Sequence, residues 1–175
     1  PLLIAEGALI RCFDLTHSDR SISKSEKIEF VTGDIVDEAM VQNAITDCEI
    51  VIHLAAVLKS FKPKSYFEHI NVCGTKTVAK AAMKESVKCF IHLSSIAVYG
   101  FEPGTDVNEE TERIKSSEFY SDTKLEAEEY IVNLVKTKNF PARIIQPSII
   151  WGPGDTTWAP SVFPILKSGL IFLPG

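Results

Sequence analysis

The sequence predicts an α/β protein built on a doubly wound parallel sheet. Two observations predict it. Strand-like and helix-like segments alternate along the chain, the order that builds βαβ units. One strand-like run, E-I-V-I-H-L-A-A at 49–56, has almost no polar face, which suits a strand covered on both sides. A chain of 175 residues suits one domain with a sizeable core.

The elements run in order. L-L-I-A-E at 2–6 reads as the end of a helix, closed by Gly7 as its C′ residue. A-L-I-R-C-F-D at 8–14 is a short apolar run rich in β-formers, hence a strand, and K-I-E-F-V-T-G-D at 27–34 is a second. Asp37 is placed to cap a short helix at 37–45. The third strand spans 48–56, and a long helix spans 65–86. K-C-F-I-H-L-S-S at 88–95 is the fourth strand. The periodic run L-E-A-E-E-Y-I-V-N-L-V puts a helix at 120–138, followed by a strand at 142–147 and a short helix near 160–168. The polar loop 100–119 carries E-E-T-E and lies past the carboxyl end of a strand, where ligands bind in such sheets.

Composition narrows the function. A net charge of −5 argues against a general nucleic-acid binder, which needs a basic footprint. No apolar run approaches the roughly 18 residues of a membrane span. The opening P-L-L-I-A-E-G has no basic leader, and the expected location is the cytoplasm. Cys12, Cys48, Cys73 and Cys89 form no C-x-x-C pair and lie in or beside apolar stretches, so they are expected to be buried free thiols in a reducing setting. His17, His53, His69 and His92 are scattered, and no metal is expected.

Candidate site residues gather at strand ends. Asp14 ends the first strand, where a carboxylate can accept hydrogen bonds from ribose hydroxyls and repel a 2′-phosphate, favouring NAD over NADP. Taken alone, an ordinary strand-end Asp fits better, and His17 and Arg20 nearby leave the preference open. Asp34 and Ile35 end the second strand and can hold an adenine by its amino group and face; a plain turn after Gly33 is the alternative. The small residues at the end of His53-Leu54-Ala55-Ala56 let a ligand approach the backbone closely. His53 fits a core histidine with a satisfied ring better than a ligand. Ser95 ends the fourth strand with its hydroxyl toward the ligand crevice. Y-S-D-T-K at 120–124 sets Tyr120 and Lys124 on one helical face, an arrangement that chance also produces.

Taken together, D…G-D-I…H-L-A-A…N-V-x-G-T…S-S-I-A-V-Y-G…Y-x-x-x-K…R-x-x-Q-P-S-x-I-W-G-P-G resembles the extended short-chain dehydrogenase/reductase family in order and spacing, from about residue 2 to 173. That family includes sugar-nucleotide epimerases, dehydratases and 3β-hydroxysteroid dehydrogenase-like enzymes. The resemblance implies an NAD(P)-binding Rossmann fold, with a dinucleotide-binding domain at 1–150 and the start of a substrate-binding region at 151–175. It implies hydride transfer with NAD at a hydroxyl or carbonyl carbon. Tyr120 would be the acid/base, Lys124 would favour its phenolate and bind the nicotinamide ribose, and Ser95 would orient the substrate oxygen. Leu54, Ala55 and Ala56 would line the cofactor groove, Asn71 would buttress the site, and Pro147 would sit near the nicotinamide amide. A small-molecule substrate is expected, a sugar nucleotide first and a 3β-hydroxysteroid or other alcohol as the alternative. A non-catalytic dinucleotide-binding protein or an inactive fragment is a further alternative. The resemblance also implies a homodimer through helices 65–86 and 120–138.

Three departures stand out. The family's opening strand and G-x-x-G-x-x-G turn have no counterpart here, so a truncated chain is expected, with a strand lacking between 8–14 and 48–56. The end at Gly175 is expected to fall short of the substrate lobe. Gln146 replaces the Arg or Asn usual before Pro147, which puts polar contacts to substrate or nicotinamide in doubt.

Overall fold

A computed structural model describes residues 2–16, 25–100, 104–152, 155 and 158–169, and the predicted alternation is the observed one. Helix α1 (Leu2–Ala5) ends at Gly7, whose φ of 89° suits the residue without a Cβ. Gly7 N donates to Ile4 O and Ala8 N to Leu3 O, both at 3.0 Å, which is the Schellman pattern. Strand β1 (Ile10–Asp14) pairs in parallel with β2 (Ile28–Thr32). Helix α2 (Glu38–Ile45) starts at Asp37, whose carboxylate accepts from Ala39 N and Met40 N, both at 2.9 Å. Strand β3 (Ile50–His53) leads into α3 (Lys64–Phe67), a π-helical turn at Glu68–Gly74, and α4 (Thr75–Lys84). Then come β4 (Cys89–Leu93), a 3-10 turn at Ile96–Tyr99, α5 (Phe119–Lys138), β5 (Ala142–Ile145) and α6 (Trp158–Ser168). Residues His17 and Arg20, and positions 170–175 of the expected substrate region, lie outside the described residues.

The strands form two parallel sheets, β1–β2 and β3–β4–β5. No ladder joins β1 to β3 among the described residues, and the resemblance places a further strand at that position. The pairing sets Val51 beside Phe90 and Phe90 beside Ala142, so these three share a face. Helices α4 and α5 cover that face, and the core runs from Val41 and Ala82 through Phe90 to Ile131. Burying Phe90 and Ile131, both fully enclosed, contributes about 1.5–3 kcal/mol each. The other face differs from expectation. Ile50 and Ile52 are 55% and 43% exposed, so β3 is covered on one side. Its apolar run does not alternate, and periodicity alone could not distinguish the covered face from the open one. The thiols differ too: all four are free, but Cys12, Cys48 and Cys89 are half-buried and Cys73 is exposed.

Two features of the core lie directly under the ligand-facing strand ends. The helix expected at 65–86 carries a π-helical turn, a rare geometry often found at functional sites. In that turn a Cβ on Gly74 would lie 2.9 Å from Ile35 Cγ2, so glycine is required there by contact. Beneath it, the rings of His53 and His92 stack at 5.5 Å. Thr75 donates its hydroxyl to Asn71 O at 2.6 Å, so His53 Nε2 must donate to Thr75 Oγ1 at 2.8 Å. His53 is thus the satisfied core histidine that its sequence context favoured. Neither ring nitrogen of His92 has a partner.

Gly74→Ala should destabilise by about 1–3 kcal/mol in urea unfolding despite alanine's better helix propensity, because Ile35 must move. An unchanged midpoint would mean that Ile35 relaxes freely. Burial holds the His53 and His92 imidazoles at about 3 and about 2, against an ordinary 6.5. Through that window the unfolded chain binds more protons, so stability present above pH 6.5 is lost as pH falls. Each imidazole should cost up to about 1.4 kcal/mol per pH unit between 6.5 and 5. His92→Leu should roughly halve that slope; an unaltered slope would remove His92 from the acid sensitivity.

Candidate active site

The site is built at the carboxyl end of β4. Beyond Leu93 the β4–β5 ladder continues, with Ser94 N donating to Ile145 O at 2.8 Å and Ile96 N to Pro147 O at 3.1 Å. These bonds fix Ser95 between them. Its hydroxyl accepts from Ala97 N at 3.2 Å and caps the 3-10 turn. The chain then returns through Ile114 N, which donates to Val98 O at 3.0 Å.

Helix α5 brings the other two side chains. Glu118 caps it, accepting from Ser121 N at 2.7 Å, and Asp122 accepts from Ser116 N at 2.9 Å. Tyr120 therefore sits in the first turn, half-buried, and the Ser95 hydroxyl is one of the groups that act on its phenol. One turn on, Lys124 is buried and donates to Leu93 O, the last carbonyl of β4. Thr123, between them, accepts from Asn71 Nδ2 at 3.0 Å. Asn71 also holds the backbone of Val57 from both sides, accepting from its N at 2.7 Å and donating to its O at 3.1 Å. The π-helical turn thus ties the segment after β3 to the Tyr120 turn.

Burial dominates the electrostatics. It lowers Lys124 to about 8, opposed by the charge of Glu128. Lys124 is mostly an ammonium at neutral pH. Tyr120 is raised above the ordinary 10, by desolvation first, with the Ser95 contact pulling it down and Glu118 pushing it up. Sequence reasoning had Lys124 favour the phenolate. In this structure the ammonium is engaged by Leu93 O, and desolvation sets the direction.

The other expected residues fall in different places. Asp14 is exposed at the end of β1, its Oδ1 accepting from Leu15 N at 2.7 Å. Asp34 accepts from Val36 N at 3.1 Å in the turn after β2. Ile35 points into the core and packs on Gly74, with little free face. Leu54 and Ala55 are exposed and Ala56 half-buried. Pro147 contributes its carbonyl to the Ser95 segment. A groove of about 450 Å³ between α2 and α4, lined by Glu38, Gln42, Lys80 and Lys84 among others, contains none of these residues. Among the described residues no helix is long and apolar enough to cross a membrane, and no cluster of three metal-ligating side chains occurs.

One group was missed by sequence reasoning. Glu128 is fully buried on α5, with Arg113 Nε at 2.5 Å and Gln146 Nε2 at 2.9 and 3.0 Å from its oxygens. Tyr99 donates to Gln146 Oε1 at 2.7 Å. Gln146 therefore faces Tyr99 and the buried carboxylate. The available signal was the spacing of Lys124 and Glu128, four apart on a stripe that also carries Ala127, Ile131 and Leu134.

The chain is similar to known proteins. The model of the 3-beta hydroxysteroid dehydrogenase/isomerase family matches residues 2–174. A 3beta-hydroxysteroid-dehydrogenase/decarboxylase isoform 2 of Arabidopsis thaliana is 31% identical over 151 residues, covering 83% of this chain and 26% of that protein. A UDP-glucose 4-epimerase of Vibrio cholerae is 30% identical over 156 residues, covering 86% of this chain and 48% of that one. The chain thus spans between about a quarter and half of these relatives. The Bordetella bronchiseptica enzyme WbmH in complex with NAD+ superposes with a TM-score of 0.82 at 24% identity, over 96% of this chain and 57% of that chain, a likeness of fold. With its sheet order, strand-end serine and Tyr/Lys helix in place, and the family model matched over nearly its whole length, the chain belongs to the 3-beta hydroxysteroid dehydrogenase/isomerase family.

Proposed function

We propose that the protein is an NAD-dependent dehydrogenase that interconverts a secondary alcohol and its ketone. The observation that carries this reading is the assembly of Ser95, Tyr120 and Lys124 at one strand end. The residues present suit the cofactor. Asp14 offers an exposed carboxylate for ribose hydroxyls, Leu54 and Ala55 an open run, and Lys124 a buried ammonium for the second ribose. When bound, the nicotinamide supplies the hydride acceptor or donor. The chain's own residues manage the oxygen and its proton. Ser95 donates a hydrogen bond to the substrate oxygen and orients it. Tyr120, a phenol at neutral pH, gives its proton to that oxygen as a ketone is reduced and takes it back as an alcohol is oxidised. Desolvation opposes the phenolate that the oxidation direction requires, and Lys124, one turn away, is the cation available to offset it.

For the substrate, the run past β5 favours an apolar alcohol of the sterol kind. Ile149, Ile150 and Trp151 are exposed beside Pro147, and residues 147–169 carry one cation, Lys167. A sugar nucleotide is the second reading, supported by the epimerase relative, and would require Arg or Lys for its diphosphate. Residues from 151 onward would begin the substrate side.

Titration of the protein with NAD should raise its melting temperature saturably, and NADP should do so less. Asp14→Ala should narrow that preference. No shift with either dinucleotide would sink the cofactor reading. Tyr120→Phe should lower turnover about 10²–10⁴-fold while NAD affinity stays within a few-fold. Turnover that survives the change would end the assignment of Tyr120. A 3β-hydroxysteroid should be oxidised with formation of NADH; conversion of a UDP-sugar instead would select the second reading.

A further inference from the structure

We propose that Glu128 is a positioning residue of this site: its buried carboxylate keeps Lys124 an ammonium and, through Arg113 and Gln146, fixes the segments that carry Ser95 and Pro147. The inference rests on the reading of Lys124 as the cofactor-facing cation.

The geometry carries it. Glu128 is fully buried, and a carboxylate taken out of water is stable only with donors on its oxygens. Arg113 and Gln146 supply them. Arg113 comes from the loop before α5, and Gln146 adjoins Pro147, whose carbonyl holds Ile96. Tyr99, at the end of the turn that Ser95 caps, closes the set through Gln146. Two chain segments therefore bond one carboxylate directly and a third reaches it through Gln146, one helical turn from Lys124. A neutral side chain of the same shape could hold the segments; it could not hold the charge.

Among the described residues, Glu128 is the one anion that acts on Lys124. Along α5 stand Tyr120 and Glu128. From β3 and β4 come His53 and His92, both neutral above about pH 4 at their lowered values of about 3 and about 2. Asn71 is uncharged. Lys76 from α4 pairs with Glu126 on the exposed side of α5. Glu118 acts on Tyr120.

The test tracks the Lys124 Cε resonance against pH in lysine-labelled protein, assigned by its loss in Lys124→Met. The unaltered protein should titrate near pH 8. Glu128→Gln should move that midpoint down by about one unit, the size expected for removal of a close opposite charge. Arg113→Met should move it up, because the carboxylate then acts on Lys124 uncompensated. A purely structural role would lower stability in both variants and leave the midpoint in place. An unmoved midpoint in folded Glu128→Gln, or a downward move in Arg113→Met, overturns the proposal. Where Glu128→Gln does not fold, the sign in Arg113→Met decides. The titration needs no dinucleotide, so failure of the unaltered protein to bind NAD would count against the proposed function alone.

Discussion

A lysine ammonium removed from water loses several kcal/mol of hydration, and the site must return enough of it to keep the charge. Lys124 is buried at the end of β4. It recovers part of its hydration from Leu93 O, a carbonyl that has no further strand residue to serve. The remaining support is electrostatic and comes along its own helix. Much of the polar architecture nearby can be understood from this one constraint. A cation is tolerated here because an anion lies one turn away, and the anion is tolerated because a guanidinium and an amide reach it from two other segments.

The hydroxyls and amides form a second, uncharged layer. Asn71 holds Val57 and Thr123 at once, and Thr75 links His53 to Asn71. In a low-dielectric interior such links are stronger than in water and costly to leave half-made. They tie the π-helical turn to α5, some distance from its own backbone. It sets Asn71 toward α5 while Gly74 lets the same turn lie against Ile35. Packing and site geometry are therefore the same constraint read from two sides of one helix.

The fold was legible in the chain because its signals are local. Gly7 and Asp37 act through their own backbone neighbourhoods, and the strand and helix periods are written into short runs. Ser95, Tyr120 and Lys124 were singled out as candidates because the family pattern fixes their spacing. The features that escaped depend on the third dimension. The apolar run of β3 could not show that Ile50 and Ile52 face outward, since both of its faces carry the same residue type. The π-helical turn has no distinctive composition. Glu128 sits in an acidic helix beside exposed Glu126 and Glu129, and only the pairing with Arg113 and Gln146 separates it from a solvated carboxylate. Gln146 read as a lost ligand contact, whereas its partners lie inside.

The directions of the shifted groups also define the proton inventory near neutral pH. His53 and His92 are neutral because burial penalises the imidazolium and Lys124 repels it. Tyr120 holds its proton more tightly than a free phenol. Of these four groups, Lys124 alone changes charge within a unit or so of physiological pH. The stacked imidazoles, although they occupy the strand ends beside the lysine, therefore stay uncharged and do not compete for protons. A site arranged this way has its charge set by one ammonium. Desolvation opposes ionisation of the neighbouring phenol, and the Ser95 contact offsets it in part.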